Sequence, residues 1–331
     1  MRPLAVLLKA LLLLALLALG ALLWGYRQFT APGPLREATA LVIPKGLGVG
    51  AIGDRLAEGG VIADARVFTA GVYLFRNHRA LRAGEYEFPA HASAAEAMAV
   101  LIYAKPVVRH LTVAEGLTSA QAVAEIDHGE GLEGAIATTP AEGSLLPETY
   151  NFSWGDSREG LGRRMERAMR ETLATLWRGR AAGLGLATPE EALVLASIVE
   201  KETAKPAERP LVAAVFLNRL RRHMRLQSDP TVVYALTRGK GPLGRPLTHA
   251  DLETGSPYNT YLVEGLPPTP IDNPGKASIL ATLHPAESED LYFVADGSGG
   301  HVFAKTLAEH NHNVARLRQL QSDAAEKKSA E

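Results

Sequence analysis

The chain has 331 residues, no cysteine, and 35 basic against 36 acidic side chains, for a formal net charge of −1 at pH 7. Without cysteine, neither a disulfide framework nor a cysteine-ligated metal can form. A balanced charge with no basic run interleaved with aromatics argues against nucleic acid as a partner.

The first element decides the compartment. Met1, Arg2 and Lys9 carry positive charge, and residues 4–24 are otherwise an unbroken run of Leu, Ala, Val and Gly ending in Trp. As a helix this run rises roughly 31 Å, enough to cross a bilayer core. Lys9 lies close enough to one end to snorkel to the headgroups. Positive charge before the span favours an inside N-terminus and an outside body. The run is long for a signal-peptide core, and Leu22-Leu23-Trp24-Gly25-Tyr26 offers no small-x-small cleavage site. Residues 1–27 therefore read as a cytoplasmic tip and an uncleaved signal anchor. The Pro/Gly-bearing stretch 28–36 reads as a linker.

The remainder, about 300 residues, is enough for roughly two domains. A faint internal repeat follows the linker at an offset of 70 residues. Leu41-Val-Ile-Pro-Lys-Gly-Leu47 aligns with Leu111-Thr-Val-Ala-Glu-Gly-Leu117. Each copy predicts a short strand, a Gly turn and a helix, the helices marked by Ile52 and Leu56 and by Ala122 and Ile126. Between the copies, residues 81–88 predict a strand with outward charges, followed by a helix over 93–104. Residues 37–135 thus form a small α+β module.

A second α+β domain is expected over 136–320. Residues 158–182 predict a long amphipathic helix on which Arg163, Arg164, Arg167 and Arg170 form a solvated face. The next helix opens on Thr188, Pro189 and Glu191, a capping-box signature, and runs through uncharged residues 192–199 into Glu200-Lys201-Glu202. Another apolar-striped helix covers 210–223, and a loop-rich stretch covers 226–274. Strands on either side of Asp296-Gly-Ser-Gly-Gly300 predict a hairpin. A last helix spans 307–320, and 321–331 is a polar, flexible tail.

The chemistry centres on the end of the 189–202 helix. A carboxylate there is expensive to desolvate and is repelled by the helix C-terminus, so Glu200 is expected to keep its proton near neutrality. A neutral acid is what glycosidic-bond cleavage requires. The following loops supply Gln227, Ser228, Asp229 and Tyr234, then Tyr258, Asn259 and Tyr261. Amides and carboxylates can bond sugar hydroxyls, and aromatic faces can cover the apolar sides of the rings. Taken singly, Asp229-Pro230 and Ser256-Pro257 are also ordinary turn starters. No His-Glu-x-x-His, no Gly-x-Ser-x-Gly elbow and no phosphate loop occurs, so no metal and no cofactor is expected.

Six segments in order carry a resemblance: Ala196-Ser-Ile-Val-Glu-Lys-Glu202, Val215-Phe-Leu-Asn-Arg-Leu220, Met224-Arg-Leu-Gln-Ser-Asp-Pro-Thr231, Ser256-Pro-Tyr-Asn-Thr-Tyr261, Gly265-Leu-Pro-Pro268 and Leu291-Tyr-Phe-Val-Ala295. Together they strongly resemble the endolytic murein transglycosylases, the MltG or YceG-like family. The resemblance implies an α+β fold: a single transmembrane helix, a small LysM-like module and a catalytic domain on the periplasmic side of the bacterial inner membrane. It implies cleavage of nascent peptidoglycan strands between N-acetylmuramic acid and N-acetylglucosamine, with peptidoglycan synthases as partners. The catalytic glutamate falls on Glu200, and Glu142, Gln227, Asp229, Asn259 and Tyr261 become the substrate-binding set. The Glu142-Gly-Ser-Leu-Leu-Pro-Glu-Thr-Tyr150 segment departs from the family pattern at Ser144, Leu146 and Glu148, which puts a stacking role there in doubt.

Ordinary glycoside hydrolysis uses two carboxylates. A lytic transglycosylase manages with one, because the muramoyl 6-hydroxyl is an intramolecular nucleophile already in place. Two alternatives stay open on sequence: a muramidase-type hydrolase in which Asp229 assists, and a non-catalytic, membrane-anchored peptidoglycan-binding protein that recruits synthases.

Overall fold

The structure is a computed structural model describing residues 2–330, with side chains described over 6–323. The expected charge of Met1 and the last tail residue, Glu331, lie outside the described residues. The chain divides into two compact units. One comprises Met1–His110, Gly131–Glu133 and Asn151–Asp156; the other comprises Leu111–Glu130, Gly134–Tyr150 and Ser157–Glu331.

In the first unit, α1 (Arg2–Thr30) is one helix, and its stretch Val6–Thr30 is long and apolar enough to cross a membrane. It runs six residues beyond the expected span and takes up the first part of the expected linker. Phe29, near its end, is buried and stacks on Phe75 with ring centroids 5.6 Å apart. Strand β1 (Thr39–Ile43) leads to α2 (Val49–Glu58) and α3 (Ala65–Leu74), and then to β2 (Gly84–Phe88) and α4 (Ala94–Tyr103). β1 and β2 pair antiparallel, from Thr39 opposite Phe88 to Ile43 opposite Gly84. Ile43, Leu56, Phe68, Tyr86, Phe88 and Leu101 fill the core beneath them. The alternation expected for β2 fails at Glu85. It is buried and paired with Arg109 at 2.7 Å, and that guanidinium lies 4.8 Å from the Trp154 ring centroid. A buried carboxylate persists only when it is paired in this way.

β3 (Arg109–Thr112) begins in the first unit, and α5 (Ser119–Asp127) lies in the second. The repeat survives as backbone conformation. Gly46 and Gly116 both adopt left-handed φ, +83° and +74°, and the N-caps of α2 and α5 are Gly48 and Thr118, again 70 residues apart. The expected single boundary at 135/136 gives way to an interleaved division. Residues 111–130 join the second unit, where the Ser119 N–H donates to Glu142 and the Ser119 hydroxyl to the carbonyl of Ala141.

β4 (Thr149–Phe152) straddles the division, and the second unit continues through α6 (Arg158–Arg178), α7 (Pro189–Glu202), α8 (Arg209–Arg221), α9 (Asp229–Thr237), α10 (His249–Leu252) and α11 (Lys276–Leu283). The hairpin strands β5 (Tyr292–Ala295) and β6 (His301–Ala304) pair antiparallel, and α12 (Leu307–Ala330) follows. α12 runs ten residues past its expected end at 320, through most of the segment read as a tail. Arg163, Arg164, Arg167 and Arg170 are exposed on α6. As its lack of charge predicts, α7 is the centre of the core: Ala192 to Val199 are all buried, against Phe216, Leu217, Ile279 and Leu283. Thr188 caps it by accepting from the Glu191 N–H, but Glu191 reaches back to the N–H of Ala187, one residue short of a reciprocal capping box.

Candidate active site

The last turn of α7 delivers two glutamates into different surroundings. The Glu200 side chain is 6 % exposed. Its Oε1 accepts from Arg209 at 3.0 Å and its Oε2 from the Gly275 N–H at 2.9 Å. Gly275 is the N-cap of α11, and a Cβ there would come within 1.9 Å of a Glu115 carboxyl oxygen. Glu115 in turn lies 3.3 Å from Arg209. The apolar isolation that the helix sequence predicts for Glu200 is therefore absent: an arginine and a helix N-terminus meet it.

Around this pair lies an interior polar cluster. Glu142 accepts from the Ser119 N–H at 2.6 Å, and burial pushes its carboxyl up. Asp272 is fully buried with neither oxygen bonded, so desolvation raises it well above the carboxylate range and favours the neutral acid. Lys201 donates to the Gly116 carbonyl at 3.1 Å. Asn273 accepts from the Leu145 N–H and donates to the Leu117 carbonyl, both at 2.9 Å. These bonds tie the 115–119, 142–145 and 272–275 segments to α7.

Glu202 faces elsewhere. It lines a cleft of about 490 Å³ together with Arg219, Gln227, Asp229, Tyr261 and Tyr292. Its carboxyl accepts from the Ser228 hydroxyl. Desolvation, reinforced by the nearby Asp229, pushes it up to about 7. Asp229 accepts from the Tyr261 hydroxyl at 2.6 Å, and burial pushes that phenol above its ordinary range. Gln227 holds a left-handed φ of +51°, pinned by its N–H to the Thr260 carbonyl at 3.1 Å. A non-glycine residue keeps such a conformation only where its surroundings fix it.

Of the expected site residues, the cleft brings together Gln227, Asp229 and Tyr261. Asn259 is not among its lining. It is fully buried, donates to the carbonyls of Leu252 and Thr254 at 2.9 Å, and accepts from the Tyr261 N–H at 3.0 Å. Its amide holds the loop that presents Tyr261. Glu142 and Glu200 lie in the interior cluster. The sequence reading missed Arg219, Tyr292 and His310 as cleft residues. Arg219 is buried on α8, donates to the carbonyls of Leu291 and Leu226 at 2.6 and 2.7 Å, and sits 5.2 Å from the Tyr292 ring centroid. An arginine on an otherwise apolar stripe was its available signal. His310 stacks on Tyr292, and His301 pairs with Glu208 at 2.7 Å.

The cleft thus offers two carboxyls, one of them pushed up to about 7, with an arginine and aromatic faces. Residues 41–316 match the model of the YceG-like family, and the chain belongs to that family. It is 40 % identical over 173 residues to an endolytic murein transglycosylase of Bacillus subtilis (strain 168), a match covering 52 % of this chain and 46 % of that protein. It is 32 % identical over 321 residues to the endolytic murein transglycosylase of Streptococcus pneumoniae (strain ATCC BAA-255 / R6), covering 82 % of this chain and 57 % of the relative. The chain therefore spans about half the length of these curated relatives. The crystal structure of a yceG-like protein from Listeria monocytogenes superposes with a TM-score of 0.53 at 32 % identity, covering 84 % of this chain and 99 % of that one.

Proposed function

We propose that this chain is an endolytic murein transglycosylase whose general acid is Glu202. The observation that carries the assignment is the position of Glu202 in the cleft with its carboxyl pushed up to about 7. The role expected of Glu200 moves two residues along the helix, because Glu200 is consumed by Arg209 and Gly275. In this reading Glu202 gives its proton to the oxygen linking N-acetylmuramic acid to N-acetylglucosamine, and the C1–O bond breaks. The resulting carboxylate takes the proton of the muramoyl 6-hydroxyl as that oxygen closes on C1. The product is a 1,6-anhydromuramoyl end, and the acid is regenerated without a cofactor. Arg219 orders the cleft floor, while Gln227 and Tyr261 meet sugar hydroxyls.

The reading extends to the rest of the chain. α1 anchors the protein once in the inner membrane, with both units in the periplasm, supported by Lys9 ahead of an uncharged run. The β1–α2–α3–β2 arrangement supports a LysM-like, glycan-binding module, and synthases that extend the same strands are the partners this placement suits.

One observation favours a second reading. Asp229 shares the cleft with Glu202, so it could act as the second carboxylate of a muramidase-type hydrolase. Mass spectrometry of products from purified glycan strands separates the two. Anhydro ends are expected, whereas reducing muramic acid ends would establish hydrolysis. No cleavage by the wild type in any lipid or detergent would leave the non-catalytic binding role.

A further inference from the structure

The end of α3 presents an apolar surface that the first unit covers only in part, with His78 stacked on Tyr73 and Phe29 on Phe75. Tyr73, Leu74 and Phe75 are consecutive and 56, 61 and 47 % exposed. Soluble proteins seldom leave three large apolar side chains in a row to water. The segment around them is also strongly basic: residues 65–84 contain Arg66, Arg76, Arg79 and Arg82 and no acid.

The position of this surface follows from α1. The helix enters the unit without a break, and Phe29 seats on Gly71, where a Cβ would come within 2.3 Å of the ring. From Trp24 to Phe29 the helix climbs only about 8 Å. Ala21, Leu22 and Trp24 accordingly line one cavity, of about 520 Å³, with Leu74 and Phe75. Side chains of the apolar run and side chains of the folded unit thus stand at the same height. A bilayer that surrounds the first group must reach the second.

We propose that the first unit rests on the membrane surface. Tyr73, Leu74 and Phe75 enter the headgroup layer, and Arg76, Arg79 and Arg82 face the phosphates of anionic lipids. Aromatic side chains favour that layer, and juxtamembrane arginines are drawn to anionic headgroups. The proposal rests on α1 spanning the bilayer.

The test uses the full chain, whose lack of cysteine permits single-site labelling. Leu14→Cys, Leu74→Cys and Glu87→Cys are labelled with a polarity-sensitive fluorophore and placed in phosphatidylglycerol/phosphatidylethanolamine vesicles carrying nitroxide lipids. Leu14 marks the span, and Glu87 is an exposed residue of β2. Emission at positions 14 and 74 should shift to the blue and be quenched, position 74 by shallow nitroxides, while position 87 should be unaffected. Quenching at 14 with position 74 behaving like 87 would overturn the proposal and leave the span intact. No quenching at 14 would remove the span and the proposal with it. A blue shift at 74 that no nitroxide quenches would mean a protein covers the patch, which also overturns it. Replacing phosphatidylglycerol with a zwitterionic lipid should weaken quenching at 74; unchanged quenching would overturn the role given to the arginines.

Discussion

Glu200 lies 3.0 Å from Arg209, in a pair whose side chains are 6 and 11 % exposed. Two residues on, Glu202 opens onto the cleft. In the reading proposed above, one helix end supplies a structural ion pair and a chemical group side by side, and the two are expected to respond to substitution in opposite ways.

Glu200→Ala should cost stability first. Removing one partner of a buried pair typically costs about 3–5 kcal/mol, and the contact Arg209 keeps with Glu115 places the expected loss near the lower end. Urea unfolding at pH 7 measures it. Turnover per folded molecule should stay within roughly tenfold of wild type, since the proton-transfer factor of about 10²–10⁴ is retained. A stable variant with abolished turnover would return the acid to Glu200.

Glu202→Gln should do the reverse. The amide relieves a costly desolvation, so stability should hold or rise. Anhydro-product formation should fall by about 10²–10⁴-fold, because the amide can neither give nor take the proton. Product formation by chromatography and melting temperature on the same sample check both halves.

The pH dependence follows from the same residue. Burial pushes its carboxyl from the ordinary 4.5 up to about 7 in the folded chain, so the folded state holds the proton more tightly. The associated stability is fully present below pH 4.5 and is lost as pH rises through 7, up to about 3 kcal/mol in all. Wild-type unfolding free energy, relative to Glu202→Gln, should therefore decline between pH 5 and 8. Activity should fall over the upper part of that range as the acid ionises.

Asn259→Ala and Tyr261→Phe should separate scaffold from cleft. The first removes three part-buried hydrogen bonds, to two carbonyls and one N–H, each worth about 1 kcal/mol, so melting temperature should drop. The second removes only the bond to Asp229 and should cost about 1 kcal/mol while lowering kcat/KM. Calorimetry with steady-state kinetics distinguishes them.

Gly275→Ala should be destabilising through Glu115 alone. The backbone at φ −72° accepts alanine, but the new Cβ meets the Glu115 carboxyl. In a Glu115→Ala background most of the cost should vanish, a coupling that a double-mutant cycle reads directly.

The long-range plan was legible because it rests on periodicity. The uncharged run 192–199 had to be core, and the apolar N-terminal run had to be a separate helix. Gln227, Asp229 and Tyr261, read from a loop-rich stretch whose Asp229 in fact opens α9, marked the cleft by residue type. The surroundings that lead us to propose Glu202 over Glu200 were not legible, since they depend on Arg209 and Gly275, nine and 75 residues from Glu200. Asn259 misled for a related reason: an amide that suits a sugar hydroxyl suits a backbone carbonyl equally well. Glu85 looked outward by alternation and turned inward because Arg109, 24 residues on, pairs with it.

The unbroken passage of α1 into the first unit fixes a rotational phase as well as a height. With Phe29 locked on Gly71, each residue between Trp24 and Phe29 contributes about 100° of turn about the helix axis. Inserting a single alanine there would lift the unit by only about 1.5 Å yet swing it more than a quarter of a turn. Inserting seven, close to two full turns, would restore the bearing at a height about 10 Å greater. The helix is geared to its unit, so the residue count between Trp24 and Phe29 carries directional information.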